Sequence, residues 1–459
     1  MSEVARAHVS EIDLPDFGSP GAVPWIPSET YENRLSRLSE RAADRYDRVV
    51  LYADREHSAN ISYLTGFDPR FEEAILIIGG GDIPTLLTGN ECVGMARAAP
   101  VRMDVRLFQE LSLPSQPRQD SPPLRDLFSD RGIAPGSRVG IVGWKTFADG
   151  SLTDVPAYIV DTLRALTGAT GSIDNATGLL IDPQDGLRVI NEIEQLAYFE
   201  YASCHTSTGV KNVISGIEPG MSEQDAVALL GWNGSPLSCH LMLTAGERAR
   251  LGLLSPSDRR IDLGDPFTVA YGIWGALNCR AGFVVESASG LREDIRDYVD
   301  RLVAPYFETV AEWYQAIRIG QTGGVLHEIV ERRLGDPFFG IFLNPGHQLH
   351  LDEWVNSPVW PQSRIELRSG MALQVDIIPA TGTSYFTTNI EDGIALGDEG
   401  MRADLARLYP DAWERIQWRR TFMGDLLGID LHPDVLPLSN MPAYLPPYLL
   451  RPDMAMTLV

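Results

Sequence analysis

The sequence predicts two domains, an α/β domain followed by an α+β domain, and three observations carry that reading. A chain of 459 residues exceeds one ordinary domain, with about two to three expected at this length. Short apolar runs alternate with helical patterns as far as about residue 185, the signature of an α/β unit. Beyond that point, long amphipathic segments are interspersed with strand-like runs, which reads as a curved sheet with helices on its convex face. Hydrophobic residues at 44% and charged residues at 22% are ordinary for a globular protein and exclude global disorder.

Residues 1–30 are rich in Pro, Gly and Ser and read as an arm laid over a surface or a partner subunit. Tyr31–Asp47 shows helical patterning, with Leu35, Leu38 and Ala42 on one side. Arg48–Ala53, Ala74–Ile78, Pro84–Thr88 and Val139–Gly143 read as strands, the middle two forming a hairpin around Gly79–Gly81, and Leu124–Arg131 reads as a helix. This first domain is assigned to residues 31–185 and the second to 186–400. The second opens with a long helix from Asn191, followed by a capping box in which Ser222 precedes Asp225, with the helix continuing through Trp232. Strands are expected at Leu241–Ala245, Pro266–Tyr271, Phe283–Glu286, Gly370–Ile378 and Asn389–Leu396, with a helix around Ile295–Ile317. The tail, 401–459, reads as one helix over Asp404–Leu427 and a Pro-rich extended end.

Charge and cysteine content narrow the function. Asp and Glu outnumber Lys and Arg by 62 to 38, a net charge of −24 that repels phosphate backbones and anionic lipid, so no nucleic-acid or membrane partner is expected. Apolar stretches such as Ala74–Ile78 fall far short of the ~20 residues a membrane helix needs. The opening residues have no apolar signal core. Cys92, Cys204, Cys239 and Cys279 lie far apart with no C-x-x-C pair, which argues against a thiolate zinc site or a disulfide scaffold and fits a reducing cytoplasm.

Several segments carry a family resemblance. Gly346-His347 with Leu351 and Pro358, then Leu367-x-x-Gly370-Met371-x-Leu-Gln-Val-Asp376-Ile-Ile-Pro379, then Asn389-Ile-Glu391-Asp392-Gly resemble the pita-bread family of methionine and X-Pro aminopeptidases, prolidase and creatinase. Asn60-Ile-Ser-Tyr-Leu-Thr-Gly66-Phe67 is similar to the creatinase/prolidase N-terminal domain, and Gly186–Glu194 to the start of that family's catalytic domain. The resemblance implies a creatinase-like α/β domain, a pita-bread α+β domain and a homodimer. It also implies two divalent ions held by Asp, His and Glu side chains, which activate water and polarise a scissile carbonyl.

Mapped residue by residue, the resemblance gives a mixed ligand set. His347 matches the ligand His, Asp376 stands where the family has its first Glu, and Glu391 matches the last Glu. Ala270 takes the bridging Asp position in Gly264-Asp265-Pro-Phe-Thr-Val-Ala270-Tyr271-Gly272, and the second Asp falls on Leu277 or, in a shifted register, Asn278. Leu253 stands for the substrate-side His and Trp354 for the second His of the family pattern. A dinuclear centre is therefore not expected, nor any other cofactor. The alternatives are one weakly held divalent ion at His347, Asp376 and Glu391, or a metal-free site as in the creatinase branch.

In the metal-free reading, Asp376 and Glu391 anchor a cationic or zwitterionic small molecule, while His347 or His350 moves the proton in hydrolysis of an amide, amidine or ureido C–N bond. The alternative is a non-catalytic or single-metal X-Pro peptidase-like protein that binds a small ligand or peptide. His240 stands as a replacement for the missing His or as a structural residue, and Asp352-Glu353 as an orienting pair or a solvated one. Arg280 is a candidate partner for a freed carboxylate, with Trp274 and Tyr271 in the same stretch as substrate contacts and Trp354 beside the His segment. By resemblance, Arg70 and Phe71 hold a substrate carboxylate and its apolar part; the other reading pairs Arg70 with Glu72 or Glu73.

Overall fold

The computed structural model describes residues 6–459. The chain forms two compact units, Ile26–Val189 and Ile190–Val459, the latter joined by the N-terminal residues as far as Trp25. The first element of the chain, strand β1 (His8–Glu11), therefore belongs to the C-terminal unit. The start of the expected arm, residues 1–5, lies outside the described residues.

The unit Ile26–Val189 holds β2 (Arg48–Ala53), β3 (Ala74–Ile78), β4 (Thr85–Thr88), β5 (Asp104–Leu107), β6 (Arg138–Val142) and β7 (Ser172–Asn175) in the order β5-β4-β3-β2-β6-β7. β2, β3 and β4 pair antiparallel, and the flanking pairs are parallel. Its helices are α1 (Ser28–Ala42), α2 (Ala59–Thr65), α3 (Val93–Arg97), α4 (Leu124–Ser129), α5 (Ala157–Thr167) and α6 (Gly178–Ile181). β2 is apolar and buried from Val49 onward, as a strand covered on both faces must be. Phe128, Ile159 and Leu163 pack on Val50, Ile75 and Ile141 to close one side of the sheet.

The C-terminal unit begins with α7 (Ile193–Gly216) and α8 (Glu223–Val227), whose Ser222–Asp225 capping box forms as expected. The α-helix stops at Val227, and a tight turn ends at Gly231, where φ of +63° halts it. Then come β8 (Met242–Ala245), β9 (Pro266–Ile273), β10 (Ala276–Phe283), α9 (Ala304–Ala316), α10 (Gly323–Leu334), β11 (His347–Gln348), β12 (Ala372–Asp376), β13 (Asn389–Leu396), α11 (Glu399–Leu408), α12 (Pro410–Asp425), β14 (Val435–Pro437) and β15 (Met454–Thr457). The seven-stranded sheet runs β11-β12-β13-β10-β9-β8, with β14 also on β13, and α7 lies against β9 and β10. β1 pairs antiparallel with β15, so the chain's own far end holds part of the arm.

Three expectations change. The strand placed at Phe283–Glu286 is instead β10, which ends at Phe283; Asn278 and Arg280 masked it because both its faces are buried, not one. The expected tail helix is two helices, divided where Pro410 starts α12, a position that needs no N–H donor. The helix around Ile295–Ile317 is regular only from Ala304, after a wider turn over Val299–Val303. Among the described residues no helix is long and apolar enough to cross a membrane, and the four cysteines are unpaired thiols.

Behind the sheet, Glu200 of α7 accepts hydrogen bonds from Arg415 at 2.8 and 2.6 Å and from Arg419 at 2.8 Å, all three buried. Burial opposes the Glu200 charge, but Arg419 and Arg415 outweigh it and hold its carboxyl below the usual range. That stability is fully present above the ordinary carboxyl pKa and disappears as pH falls through the lowered native one. Glu200→Gln is expected to lower the unfolding free energy at pH 7 by about 3–5 kcal/mol, since it leaves two buried guanidinium groups underpaired. The deficit should shrink toward pH 3, as read by denaturant melts across that range.

Candidate active site

Sheet register assembles the site. Met242, Ala270, Cys279, Glu391 and Asp376 lie side by side across β8, β9, β10, β13 and β12. Residues directly opposite in a ladder share a face, so these five project together. This face is buried but less tightly covered than the other: Met242, Ala270 and Cys279 retain 9, 7 and 6%, whereas their neighbours Tyr271, Asn278 and Arg280 retain 1, 0 and 1%.

His347 joins from β11, where it pairs with Gln374 of β12. The preceding Gly346, at φ +132°, brings the chain so close that a Cβ would lie 3.0 Å from Trp313 and 3.2 Å from the Gln374 carbonyl oxygen. The His347 ring stacks on Trp354, centroids 4.2 Å apart. Its Nε2 lies 3.5 Å from Glu353 Oε1, 3.7 Å from Glu391 Oε1 and 3.8 Å from Asp376 Oδ2. Among the described residues neither His347 Nε2 nor Asp376 Oδ1 has a hydrogen-bond partner, although both are buried.

Burial raises all three carboxyl groups, and repulsion from neighbouring acids adds to it, for Glu391 from Asp392. Asp376 is pushed to about 8, by burial and then by Glu391, with His347 opposing. Glu391 rises to about 7 despite hydrogen bonds from Cys279 and Gln374, the latter at 3.2 Å. Glu353 also rises to about 7, by burial and the other two acids, against the pull of His347. No Arg or Lys pairs with any of the three among the described residues, so the cluster has no cation of its own.

The other face of the same strands is fully compensated. Asp392, adjacent to Glu391, accepts from Asn278 at 2.8 Å, Arg280 at 2.7 Å and the Ala443 amide at 2.9 Å. Arg280 also donates to the Tyr444 and Met441 carbonyls at 2.6 and 2.5 Å, clamping the C-terminal segment. Arg280 was expected to pair with a freed site carboxylate; strand alternation instead turns it to Asp392, behind the sheet. Tyr271 is turned the same way, against Gly209 and His205 of α7, and makes no substrate-side surface. Asn278 also faces back, accepting from Thr206, while Leu277 and Cys279 face the acids, which fixes the register left open in this stretch.

The remaining candidates scatter. His350 is buried edge-on against Phe199 of α7, its Nδ1 accepting from the Leu351 amide, on the helix side and away from His347. Trp274 forms the tight β9–β10 turn, donating its amide to Pro236. His240 is exposed and bonded to the Leu253 carbonyl, and Leu253 itself is exposed. In the first unit, Arg70 forms a bidentate pair with Asp68 at 2.8–3.1 Å, not with Glu72 or Glu73, and Phe71 is half exposed. Of the two readings of Asp352-Glu353, the structure favours the orienting one for Glu353, which stands 3.5 Å from His347 Nε2 within the cluster. Cys279, opposite Ala270, becomes visible only once the two-residue hairpin turn is known.

No protein-family model and no curated protein matches this sequence. Among solved structures, a prolidase from Pyrococcus horikoshii is similar at 17% identity and TM-score 0.61, over 80% of this chain and 95% of that one. An Xaa-Pro dipeptidase from Bacillus anthracis is similar at 16% and 0.61, over 80% and 94%. An X-Pro aminopeptidase from Thermotoga maritima is similar at 15% and 0.61, over 80% and 95%. The chain has the pita-bread fold. The architecture anticipated from its motifs is thus the observed one.

The two sheet faces predict opposite mutational signs at adjacent positions. Asp392→Ala strands the buried Arg280 and is expected to cost about 3–5 kcal/mol. Glu391→Gln removes a buried, repelled charge and is expected to stabilise by about 0.5–2 kcal/mol at pH 8. The Glu391 pKa is raised in the folded state, so the folded chain keeps its proton longer, and stability falls as pH rises from the ordinary carboxyl value toward about 7. The benefit of Glu391→Gln should therefore vanish near pH 4; melting curves of both variants with chelator at pH 4, 6 and 8 check both signs.

Proposed function

We propose that the chain is a hydrolase acting on a C–N bond of amide, amidine or ureido type in a small cationic or zwitterionic substrate. One observation carries this reading: the buried carboxyl groups of Asp376 and Glu391 and the partly exposed one of Glu353 surround an unbonded His347 Nε2, and among the described residues no Arg or Lys pairs with them. An opposite charge beside such carboxyl groups favours their ionised form, so the site favours a ligand that brings positive charge. Asp376 and Glu391 anchor a guanidinium, amidinium or ammonium group by charge-assisted hydrogen bonds, with Glu353 closing the third side. His347 takes a proton from water at Nε2 as the water oxygen bonds to the substrate carbon. It then returns that proton to the leaving nitrogen as the C–N bond breaks, so a water molecule is added across the bond and His347 is restored.

The two ions implied by the family resemblance do not fit this face. Two shared cations need carboxylates on both halves of the site, and β9 and β10 present Ala270, Leu277 and Cys279. A single ion is the second reading, because ligand atoms of His347, Glu353 and Glu391 lie within 4.8 Å of one another. Bound there, one divalent ion would supply Lewis-acid activation of water.

The two readings separate experimentally. Screening ureido, amidino and N-acyl amino compounds for amine or ammonia release should yield turnover in chelator. His347→Gln should reduce that turnover by about 10²–10⁴-fold, while the affinity for the substrate cation changes little. Turnover that needs stoichiometric manganese or zinc, and is lost in Glu353→Gln, would favour the single-ion reading. Undiminished turnover in His347→Gln would refute both.

A further inference from the structure

His347 is 0% exposed, and Asp376 and Glu391 are buried with it, so a solute reaches the Nε2 atom only when part of the site moves aside. The solvent-facing part is the turn that follows β11. There Trp354 keeps 37% of its surface exposed and lies flat over the His347 ring, the two planes 17° from parallel. Glu353, one residue earlier and partly exposed, brings its carboxylate 3.5 Å from Nε2. Trp354 stands where the family resemblance implies a second His, so the indole belongs to this chain and not to that pattern.

The turn is anchored at its base and lightly held at its tip. At the base, the Gln348 amide donates to the Asn356 carbonyl at 2.8 Å, and the Val355 amide to the Gln348 carbonyl at 3.0 Å. The Leu349 amide donates to the Ala372 carbonyl of β12 at 3.2 Å, and Leu349, Leu351 and Val355 are buried. Between these anchors, neither the backbone amides of Glu353 and Trp354 nor the indole Nε1 makes a hydrogen bond among the described residues. The ring contact of Trp354 and the ion contact of Glu353 both go to His347. His347 has a separate tether: its Nδ1 lies 3.3 Å from the Gln348 carbonyl oxygen, a contact that only an Nδ1–H satisfies, and Nε2 is left facing the acids. The tip can therefore lift while the imidazole stays in place.

We propose that the Glu353-Trp354 tip is a movable cover of the candidate site. Closed, the indole seals the imidazole and Glu353 completes the ring of carboxyl groups around Nε2. Open, it admits solute to Nε2, and Glu353 leaves with the indole because the two are adjacent on one turn. Entry to the site and assembly of the full acid cluster are then one movement. This deepens the hydrolase reading and rests on it for the role of His347. It is tested without turnover, so its failure is distinct from the failure of that reading.

The measurement is carbethoxylation of the full chain by repeated additions of diethyl pyrocarbonate at pH 8. Peptide mass spectrometry follows each histidine, with the exposed His240 as internal reference. In the wild type, His347 should react about tenfold or more slowly than His240, because an aromatic stack of ordinary strength holds the cover closed most of the time. Trp354→Ala should bring His347 to within about threefold of His240, and Trp354→Phe, which keeps a ring to stack, should restore most of the protection. Should Trp354→Ala not fold, Trp354→Leu replaces it, keeping apolar bulk without a flat ring; His347 should then react about threefold or more faster than in the wild type. Equal rates at His347 and His240 in the wild type would show that nothing covers the imidazole and overturn the proposal. Protection that survives both Trp354→Ala and Trp354→Leu would overturn Trp354 as the cover. A wild-type His347 that takes no label after His240 is fully modified many times over would overturn the movement.

Discussion

Confinement of carboxyl groups around one imidazole, without an internal cation, is the constraint on which the site depends. Burial of Asp376, Glu391 and Glu353 beside other acids disfavours their charges, and each responds by holding its proton to higher pH. A scaffold retains such an arrangement only if the rest of the fold supplies the stability to hold it. Here that support is close by. One residue along β13 from Glu391, Asp392 is saturated by Asn278, Arg280 and the Ala443 amide.

The sheet thus acts as a partition between compensated and uncompensated charge. Its rear face ties β10, β13 and the C-terminal segment together through Arg280 and Asp392, and α7 to α12 through Glu200, Arg415 and Arg419. Its other face holds the acids, His347 and the apolar cluster. Period-two alternation alone determines which residue goes where, and a one-residue slip of β10 would exchange Cys279 for Arg280 at the site. The β9–β10 hairpin guards against that slip with a two-residue turn whose Gly275 takes φ +96°.

Motif spacing made the fold legible, because Gly346-His347 and Gly370-Met371 mark the starts of β11 and β12, and Glu391-Asp392 lies inside β13. His347, Asp376 and Glu391 converge as the motifs implied. The facing of Arg280 and Tyr271 was not legible, since it depends on a hairpin register that counting from a motif does not determine. Strand β10 itself was obscured because Asn278 and Arg280 are polar yet buried, contrary to the pattern of a half-exposed strand. His350 misled because an imidazole three residues from a ligand-type His looks catalytic, whereas the chain turns it against Phe199. Glu353 was legible only as one of two readings, an acidic pair in a loop being ordinarily solvated.

The central claim is that this acid cluster offers one cation position, where the family resemblance implies a pair of ions. Elemental analysis of natively purified protein, with protein concentration fixed by amino-acid analysis, tests it most directly. The account predicts at most one tightly held transition-metal ion per chain, removable by Glu353→Gln; two ions per chain would contradict it.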